Sequence, residues 1–248
     1  MLKTLKTLNQ LWQFTLNFLL PPTCPISGQP VERAGQIAPA AWAQLQFIQS
    51  PFCPKCGMPF PFDVPVGTVC AQCLKEPPAF DAARAALVYD TTARPLILAL
   101  KYADRQSLVP LFNTWLSDAG QNLLANATLI MPTPMHWRRL LRRKFNQAAL
   151  LAQHLAKTSG KTYAPLWLQR NRHKRPQEGL NRDARFKNVR GNFVVPAKFW
   201  PQIKGQIVLL VDDVLTTGAT AHECAKALKQ AGATQVYVLA VARTLAAD

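Results

Sequence analysis

Residues 207–220 read IVLLVDDVLTTGAT and decide the fold. The first five are apolar and mostly β-branched, and the run is too short for a helix. They predict a strand buried on both faces of a parallel sheet. Two carboxylates, Asp212 and Asp213, follow the run, and a loop of small residues comes next. A helical pattern of apolar residues begins at Ala221. This order predicts an anion site, because loop amides and the dipole of a helix N-terminus attract a phosphate.

Three interpretations of this stretch compete. The simplest is a buried strand that ends in an acidic turn. The second is the Walker B strand of an ATPase, which requires a G-x-x-x-x-G-K-[ST] loop. The nearest sequence, Gly160-Lys161-Thr162, has Leu155 in place of the first glycine and follows a predicted helix, so we reject this interpretation. The third is a site for phosphoribosyl diphosphate (PRPP), because a hydrophobic strand, two aspartates and T-T-G-x-T resemble the signature of type I phosphoribosyltransferases.

The composition predicts polyanionic partners. The chain has 248 residues, 49% of them hydrophobic, which is enough for one domain of good size and a small appendage. Its 29 Lys and Arg against 13 Asp and Glu give a net charge of +16, which favours phosphates, nucleic acid or an acidic membrane surface. No apolar run is long enough to span a bilayer. Residues 1–20 carry leucines and Trp12 at helical spacing and predict an amphipathic helix that packs on the protein; a membrane-surface helix is the alternative.

The cysteine spacing predicts a metal site. The pattern C-x2-C-x13-C-x2-C is formed by Cys53, Cys56, Cys70 and Cys73. Each C-x2-C knuckle points two thiolates at one ion, so two knuckles predict one structural zinc site with no open coordination position. Unligated thiols and a redox pair are the alternatives; the redox pair is disfavoured because neither C-x2-C opens a helix after a strand. Paired cysteines of this kind indicate a reducing compartment, and we expect a cytoplasmic protein.

The rest of the chain alternates between strand and helix patterns. Five strands are predicted, at residues 85–89, 127–131, 164–168, 207–211 and 235–242. Four helices are predicted, beginning near Thr92, Leu108 and Asn146 and after the small-residue loop. This alternation indicates an α/β domain with a mostly parallel sheet, in which ligands bind at the carboxyl ends of the strands. The loops after Met131 and Val211 are therefore expected to line one crevice. Residues 169–193 are polar and cationic without clear periodicity, which is typical of a functional loop.

A co-linear series of short motifs resembles the ComF family over nearly the whole chain. The matching motifs are Leu19-Leu20-Pro21-Pro22, the four paired cysteines, Pro77-Pro78-Ala79-Phe80-Asp81, Leu100-Lys101-Tyr102, Pro132-Thr133-Pro134, Phe145-Asn146-Gln147-Ala148, Gln177, Gly179-Leu180, Arg182, Arg185, Asn188-Val189, Gly191 and VDDVLTTGAT at residues 211–220. The resemblance implies a double zinc ribbon followed by a type I phosphoribosyltransferase-like domain with a mostly parallel sheet. We accordingly expect an amphipathic helix at residues 1–20, a zinc-ribbon region at 21–79 and a phosphoribosyltransferase-like domain at 80–248.

The chain departs from the family pattern at two places. The first zinc site keeps Cys24 but has other residues in place of its remaining ligands: Ser27, Ala38 and Ala41. The first half of the ribbon is therefore expected to hold together by packing, for example through Trp42 and Phe47. Lys144 stands where a glycine usually precedes Phe-Asn-Gln, which changes the expected loop before the Asn146 helix.

The resemblance also implies roles for individual residues. Asp212 and Asp213 form the catalytic acidic pair and are expected to bind the ribose hydroxyls of PRPP, which enters with Mg²⁺. The 5′-phosphate is assigned to the small-residue loop: Thr216, Thr217, Gly218, Ala219 and Thr220. Pyrophosphate binding and a lid over the site are assigned to Arg138, Arg142, Arg143, Gln177, Arg182 and Arg185. For each arginine the alternative is a solvated surface charge. Catalysis in such a site rests mostly on positioning and charge stabilisation.

ComF relatives are associated with natural transformation, so the resemblance further implies single-stranded DNA (ssDNA) binding for DNA uptake or utilisation. Residues 136–190 carry fifteen Lys and Arg against Glu178 and Asp183, as a groove for a charged strand requires. Aromatic residues lie among them: Trp137, Phe145, Tyr163, Trp167 and Phe186. Alternatively, the charges serve PRPP alone and the aromatics fill the core, or the protein is an active phosphoribosyltransferase of nucleotide metabolism with an unknown acceptor. A DNA-uptake helicase or recombination proteins are the expected protein partners.

Overall fold

The computed structural model describes residues 21–100, 107–135, 146–170 and 189–245, and every structural statement below refers to these ranges. The strands are β1 Ala82–Val88, β2 Leu129–Pro132, β3 Thr162–Tyr163, β4 Gln169–Arg170, β5 Phe193–Val194, β6 Ile207–Leu215 and β7 Gln235–Arg243. The helices are α1 Pro39–Trp42, α2 Ala71–Lys75, α3 Ala93–Ala99, α4 Val109–Ala119, α5 Gln121–Asn126, α6 Gln147–Ser159, α7 Trp200–Ile203 and α8 Ala219–Gln230, with a 3₁₀ turn at Ala197–Phe199.

Five of the strands form one parallel sheet in the order β1-β7-β6-β2-β3. The apolar run that opens β6 lies between β7 and β2, and Val208, Leu209, Leu210 and Val211 are fully buried. One hydrophobic cluster joins the sheet to residues of α3, α4 and α6, and a second cluster joins the other face to α8. A strand buried on both faces has no need of polar alternation, which explains the continuous apolar run. The predicted α/β fold with a mostly parallel sheet is confirmed.

The strand predicted at residues 164–168 is wrong. The backbone N–H of Ala164 still donates to the carbonyl of Ile130 (3.0 Å), but Pro165 then ends the ladder because it has no N–H to contribute. The chain forms the short strand β3 before this point and β4 after it. β4 pairs with β5 in an antiparallel hairpin, so the two ends of the predicted cationic loop are held side by side. The predicted amphipathic helix at residues 1–20 and Lys144 lie outside the described residues.

The zinc-ribbon region covers the open edge of β1. Phe47 pairs with Leu87 in an antiparallel bridge, the N–H of Ile48 donates to Ala86 (2.9 Å), and the N–H of Val88 donates to Gln46 (2.9 Å). These bonds satisfy an edge that would otherwise be open to another chain. The two halves of the ribbon then pack into the two different hydrophobic clusters, the Cys24 half with α4 and the Cys53 half with α8. The ribbon therefore straddles the edge of the sheet.

The first half of the ribbon is held by aromatic packing. The Trp42 ring lies 5.4 Å from Phe47 and 5.5 Å from Trp115, and the Phe47 and Trp115 rings lie 5.4 Å apart, all as centroid distances. Phe112 adds a further edge contact to Trp115 at 5.5 Å. Such pairs stabilise a fold beyond the area that they bury. The packing expected from Trp42 and Phe47 is thus present, and it connects the ribbon to α4.

The second half of the ribbon docks on β1 through a close backbone approach. The N–H of Ala83 donates to the carbonyl of Lys55 (2.8 Å), which brings the turn at Gly57 against the strand. Gly57 has a φ of +71°, and a Cβ at this position would lie 2.5 Å from the carbonyl oxygen of Ala83. Only glycine combines this backbone conformation with this contact.

We expect Gly57→Ala to destabilise the protein far more than Gly28→Ala. Gly28 has nearly the same φ, +70°, and nothing lies within 4 Å of its Cβ position. Gly28→Ala should therefore cost only the left-handed strain of about 1 kcal/mol, whereas Gly57→Ala adds a backbone clash of about 1–3 kcal/mol. Denaturant unfolding of both variants measures the difference, and equal losses would contradict the docking contact.

Candidate functional site

The carboxyl ends of β2 and β6 meet at one edge of the sheet. The N–H of Thr133 donates to the carbonyl of Val211 (2.8 Å), directly before Asp212. The Asn146 amide donates to the carbonyl of Thr133 (3.2 Å), and its oxygen accepts from the N–H of Ala148 (3.1 Å) as the N-cap of α6. Asn146 therefore fastens the first described turn of α6 to the end of β2. The end of β2 and the part of β6 at Asp212 therefore lie together at one edge of the sheet, while residues 136–145 of the loop after Met131 lie outside the described residues.

The acidic pair lies within β6, not after it as predicted. The strand continues to Leu215, and Asp212 stands opposite Ala240 of β7. Each half-buried carboxylate accepts the backbone N–H of the next residue, from Asp213 to Asp212 at 2.8 Å and from Val214 to Asp213 at 2.7 Å. Sequence reasoning ended the strand too early because its apolar run stops at Val211, while the ladder with β7 continues.

The environment of Asp212 disfavours its charge. Burial raises the pKa of Asp212 well above its usual range, and the adjacent Asp213 carboxylate raises it further. Behind the pair lies the buried Cys224 of α8, whose own thiol pKa is raised by burial and then by Asp212. Two crowded acidic groups of this kind are relieved by a ligand that offers hydroxyl donors or by a bound cation. Thr133 adds a buried hydroxyl beside them, which acts in the opposite direction and lowers the pKa of Asp212.

The small-residue loop ends at an uncapped helix N-terminus. Gly218 has φ +77° and ψ 0°, precedes α8, and offers no side chain to cap it. The Thr217 hydroxyl accepts only a long bond of 3.4 Å from the N–H of Ala219. The first N–H groups of a helix have no partner within the helix, so they face the loop with the positive end of the dipole. The predicted loop residues Thr216 and Thr220 flank this turn. The arrangement can accept an anion.

Two side chains of α8 fasten distant segments directly behind the loop. The Nδ1 atom of His222 accepts the N–H of Ala79 (3.0 Å), at the end of the ribbon region. The buried carboxylate of Glu223 accepts the N–H of Gly191 (2.8 Å), and Lys226 lies 3.4 Å from its other oxygen. Burial and Lys226 lower the pKa of His222, which keeps Nδ1 available as an acceptor. Sequence reasoning missed both residues, and no local pattern marked them.

The four predicted metal ligands come together. The sulfur atoms of Cys53, Cys56, Cys70 and Cys73 all lie within 4.8 Å of one another. The N–H of Cys70 donates to the sulfur of Cys53 (3.4 Å); although burial raises the pKa of Cys53, such backbone donors lower it overall. A closed set of four sulfurs fits structural zinc. The buried Arg243 of β7 donates to the carbonyl of Cys56 (2.6 Å) and ties this centre to the sheet.

The first half of the ribbon repeats the backbone of the second without its thiols. In each knuckle the backbone carbonyl of the first cysteine accepts a hydrogen bond from the N–H of a glycine four residues later. Gly28 donates to Cys24 at 2.9 Å, and Gly57 donates to Cys53 at 2.8 Å. The N–H of Ala41 donates to Ala38 (3.0 Å), as that of Cys73 does to Cys70 (2.9 Å). Cys24, Ala38 and Ala41 are buried in the hydrophobic cluster. One sulfur among alanines does not fit a metal ion, and packing takes its place.

The remaining predicted site residues divide into two groups. The pyrophosphate and lid residues lie outside the described residues: Arg138, Arg142, Arg143, Gln177, Arg182 and Arg185. Of the aromatics proposed for ssDNA, Tyr163 donates to the carbonyl of Ala149 (3.1 Å) and packs on the core, so it is structural. Trp167 stacks on Phe199, and Trp137, Phe145 and Phe186 lie outside the described residues. Within the described ranges, no helix has the length and apolar character needed to cross a bilayer.

Comparison with known proteins matches both parts of the chain. Residues 15–74 match the double zinc ribbon domain, and residues 167–247 match the phosphoribosyl transferase domain. The DNA utilization protein YhgH of Escherichia coli K12 is 30% identical over 78% of this chain and 84% of its own length. Competence protein F of Haemophilus influenzae is 30% identical over 81% of this chain and 88% of its own length. Among solved structures, orotate phosphoribosyltransferase from Aeropyrum pernix matches with 18% identity and a TM-score of 0.34, over 64% of this chain and 80% of that chain.

The two matched domains follow each other in the order expected of the family, and this chain covers most of the length of both relatives. These findings agree with the fold and the cysteine centre described above. The chain belongs to the ComF family.

Proposed function

We propose that this protein binds PRPP with Mg²⁺ and acts in DNA uptake or DNA utilisation. The observation that carries the proposal is the crowded acidic pair Asp212 and Asp213 beside the uncapped N-terminus of α8, at the carboxyl edge of a parallel sheet. A phosphorylated sugar offers both groups that this site suits: a phosphate for the helix N-terminus and hydroxyl groups for the acidic pair. A phosphate alone would use only the helix N-terminus.

Each part of PRPP has a proposed contact. The 5′-phosphate binds the loop from Thr216 to Thr220, where small side chains let it approach the backbone amides. Asp212 and Asp213 accept hydrogen bonds from the ribose hydroxyls. Mg²⁺, which prefers oxygen ligands, enters with the diphosphate. The basic and polar residues proposed for the pyrophosphate and the lid contact the far end of the ligand: Arg138, Arg142, Arg143, Gln177, Arg182 and Arg185.

The proposed biological role rests on the names of the relatives. They are called DNA utilization protein and competence protein, and we transfer that role to this chain. The net charge of +16 suits a nucleic-acid partner. We therefore propose ssDNA as the second ligand, with a DNA-uptake helicase or recombination proteins as partners.

An active phosphoribosyltransferase is the second candidate, favoured by the acidic pair itself, which sits where the reacting ribose would bind. The two candidates differ in one product, because a transferase releases pyrophosphate when an acceptor is present and a binding protein does not. Assay of pyrophosphate release with nucleobases as acceptors separates them.

We expect Asp212→Asn combined with Asp213→Asn to weaken PRPP–Mg²⁺ binding by about 100-fold or more, because two charged acceptors for ribose hydroxyls are lost. Isothermal titration calorimetry measures this. The matched control is Asp63→Asn combined with Asp118→Asn, which makes the same charge change at two exposed sites. Inorganic pyrophosphate, which has no ribose, should not lose affinity for the double variant. No binding of PRPP to the wild type, or equal binding by both double variants, would overturn the site.

We expect Asp212→Asn alone to stabilise the ligand-free protein. A raised folded-state pKa means that stability is greatest below the ordinary Asp range and falls as the pH rises through the folded-state pKa. The asparagine variant lacks this decline, so its excess stability over the wild type should grow with pH. Each kcal/mol of excess stability should raise Tm by about 2–4 °C. Thermal unfolding across pH checks this, with Asp118→Asn as control. A variant less stable than wild type at every pH would contradict it.

We also propose that the chain holds one zinc ion, although its domain type is a double ribbon. Metal analysis of the purified protein should find one equivalent of zinc. Cys73→Ser should lose it, because three thiolates no longer close the shell, whereas Cys24→Ser should keep it. Two equivalents in the wild type, or loss of zinc in Cys24→Ser, would refute this assignment.

A further inference from the structure

Two segments between β3 and β6 meet where Trp167 stacks on Phe199, and these two residues with their chain neighbours Leu166, Lys198 and Trp200 are called the aromatic surface. The Trp167 and Phe199 rings stack with centroids 5.6 Å apart and an interplanar angle of 18°. The Lys198 ammonium lies 4.9 Å from the centroid of Phe199. Leu166 is 69% exposed and Trp200 is 47% exposed. Two chain segments therefore present flat rings and a cation side by side.

Trp200 presents ring carbon to solvent. Its indole N–H donates to the carbonyl of Val195 (3.0 Å), next to β5, so the polar atom of the ring is already satisfied. This bond and the position of Trp200 at the start of α7 hold the ring in place. A large exposed aromatic that is fixed in orientation has little conformational entropy to lose when a second flat group stacks on it.

The two chain segments that carry this surface have charges of one sign, although Glu223 of α8 accepts the N–H of Gly191 at the start of the second segment. Residues 146–170 and 189–211 contain no Asp or Glu. They contain six basic residues: Lys157, Lys161, Arg170, Arg190, Lys198 and Lys204. Flat apolar rings within a purely cationic stretch complement a polyanion whose bases are unpaired, since duplex DNA offers no free base face.

The α7 part of this surface, which carries Trp200, lies away from the phosphate loop. α7 ends at Ile203, and β6 begins four residues later at Ile207, so α7 lies at the amino edge of the sheet. The phosphate loop follows the last residue of β6, at the opposite edge. Nine strand residues at about 3.3 Å each separate the two edges by roughly 30 Å.

We infer that the aromatic surface stacks the bases of ssDNA while Lys198 contacts its backbone. The inference rests on the DNA-related role proposed above, and it places the DNA contact away from the PRPP site. Bases stack on Trp200 and on the exposed part of Trp167, and the strand continues over the other basic residues of the two segments. The two ligands then bind without sharing a residue.

The test is fluorescence anisotropy with a labelled oligo-dT of about 20 nucleotides, longer than one stacking site needs. Trp200→Ala should weaken binding roughly 5- to 150-fold, the usual effect of losing one stacked base. Trp200→Phe should restore most of the affinity. The matched control is Trp42→Ala, because Trp42 is 44% exposed but packs on Phe47 and Trp115, which belong to the cluster on the other face of the sheet. The melting temperature shows that each variant is folded.

The Lys198 contact has its own readout. Lys198→Gln should lower the slope of log affinity against log salt concentration by about 0.7, the value for one phosphate of a single strand. Lys75→Gln, an exposed lysine of α2, should leave the slope unchanged.

Several outcomes would overturn the inference: no DNA binding by the wild type, equal loss in Trp200→Ala and Trp42→Ala, tighter binding of oligo-U than of oligo-dT, or binding of phosphatidylglycerol vesicles in place of DNA. PRPP titration of Trp200→Ala is run in parallel and should match the wild type. Failure of the DNA surface with intact PRPP binding is therefore distinguishable from failure of the PRPP site.

Discussion

The hydrogen-bond ladder of β6 with both β2 and β7 is the constraint on which the structure depends. It places the apolar run from Val208 to Val211 where water is excluded on both faces, which supplies much of the hydrophobic driving force. The same ladder holds the end of β2 against the acidic pair, because the N–H of Thr133 continues the pairing onto Val211. The site edge is thus a consequence of strand order. The small-residue loop begins where the hydrogen-bond ladder between β6 and β7 ends, after Leu215.

The ribbon is part of this architecture and not an appendage tied on by a linker. Its middle segment pairs with β1, its two halves enter the two hydrophobic clusters, and Arg243 connects the sulfur centre to β7. An edge strand covered in this way is protected from pairing with another chain. The halves reach similar backbones by different means, four sulfurs in one and aromatic packing around Trp42 and Trp115 in the other. One small motif is therefore closed in two ways, by packing in one half and by a cluster of four cysteines in the other.

The acidic pair stands in an environment that disfavours its charge. Asp212 is held where its charge is unfavourable, next to Asp213 and in front of buried Cys224. A fold optimised only for stability would place an apolar or amide side chain there. A carboxylate whose pKa is perturbed by burial and by a like charge is typical of ligand and catalytic sites. His222 and Glu223, one turn into α8, fasten the ribbon end and the segment at Gly191 to the same helix. Both segments are thereby fixed relative to the loop that precedes α8.

Much of the fold and of the candidate site follows from local sequence. Each predicted feature consists of residues that are close together in the sequence: the apolar run, the acidic pair, the small loop and the C-x2-C pairs. At such short range, the period and spacing of residues predict their geometry. The error at residues 164–168 was also local, since Pro165 ends the ladder with β2. What only the tertiary structure decided are the contacts between distant segments: Ala79 with His222, Gly191 with Glu223, Phe47 with Leu87, and Trp167 with Phe199. Their partners are separated by tens of residues or more, and no period links them. They arise because the sheet brings those segments together, and a sequence pattern records the period of one element but not its neighbour in space.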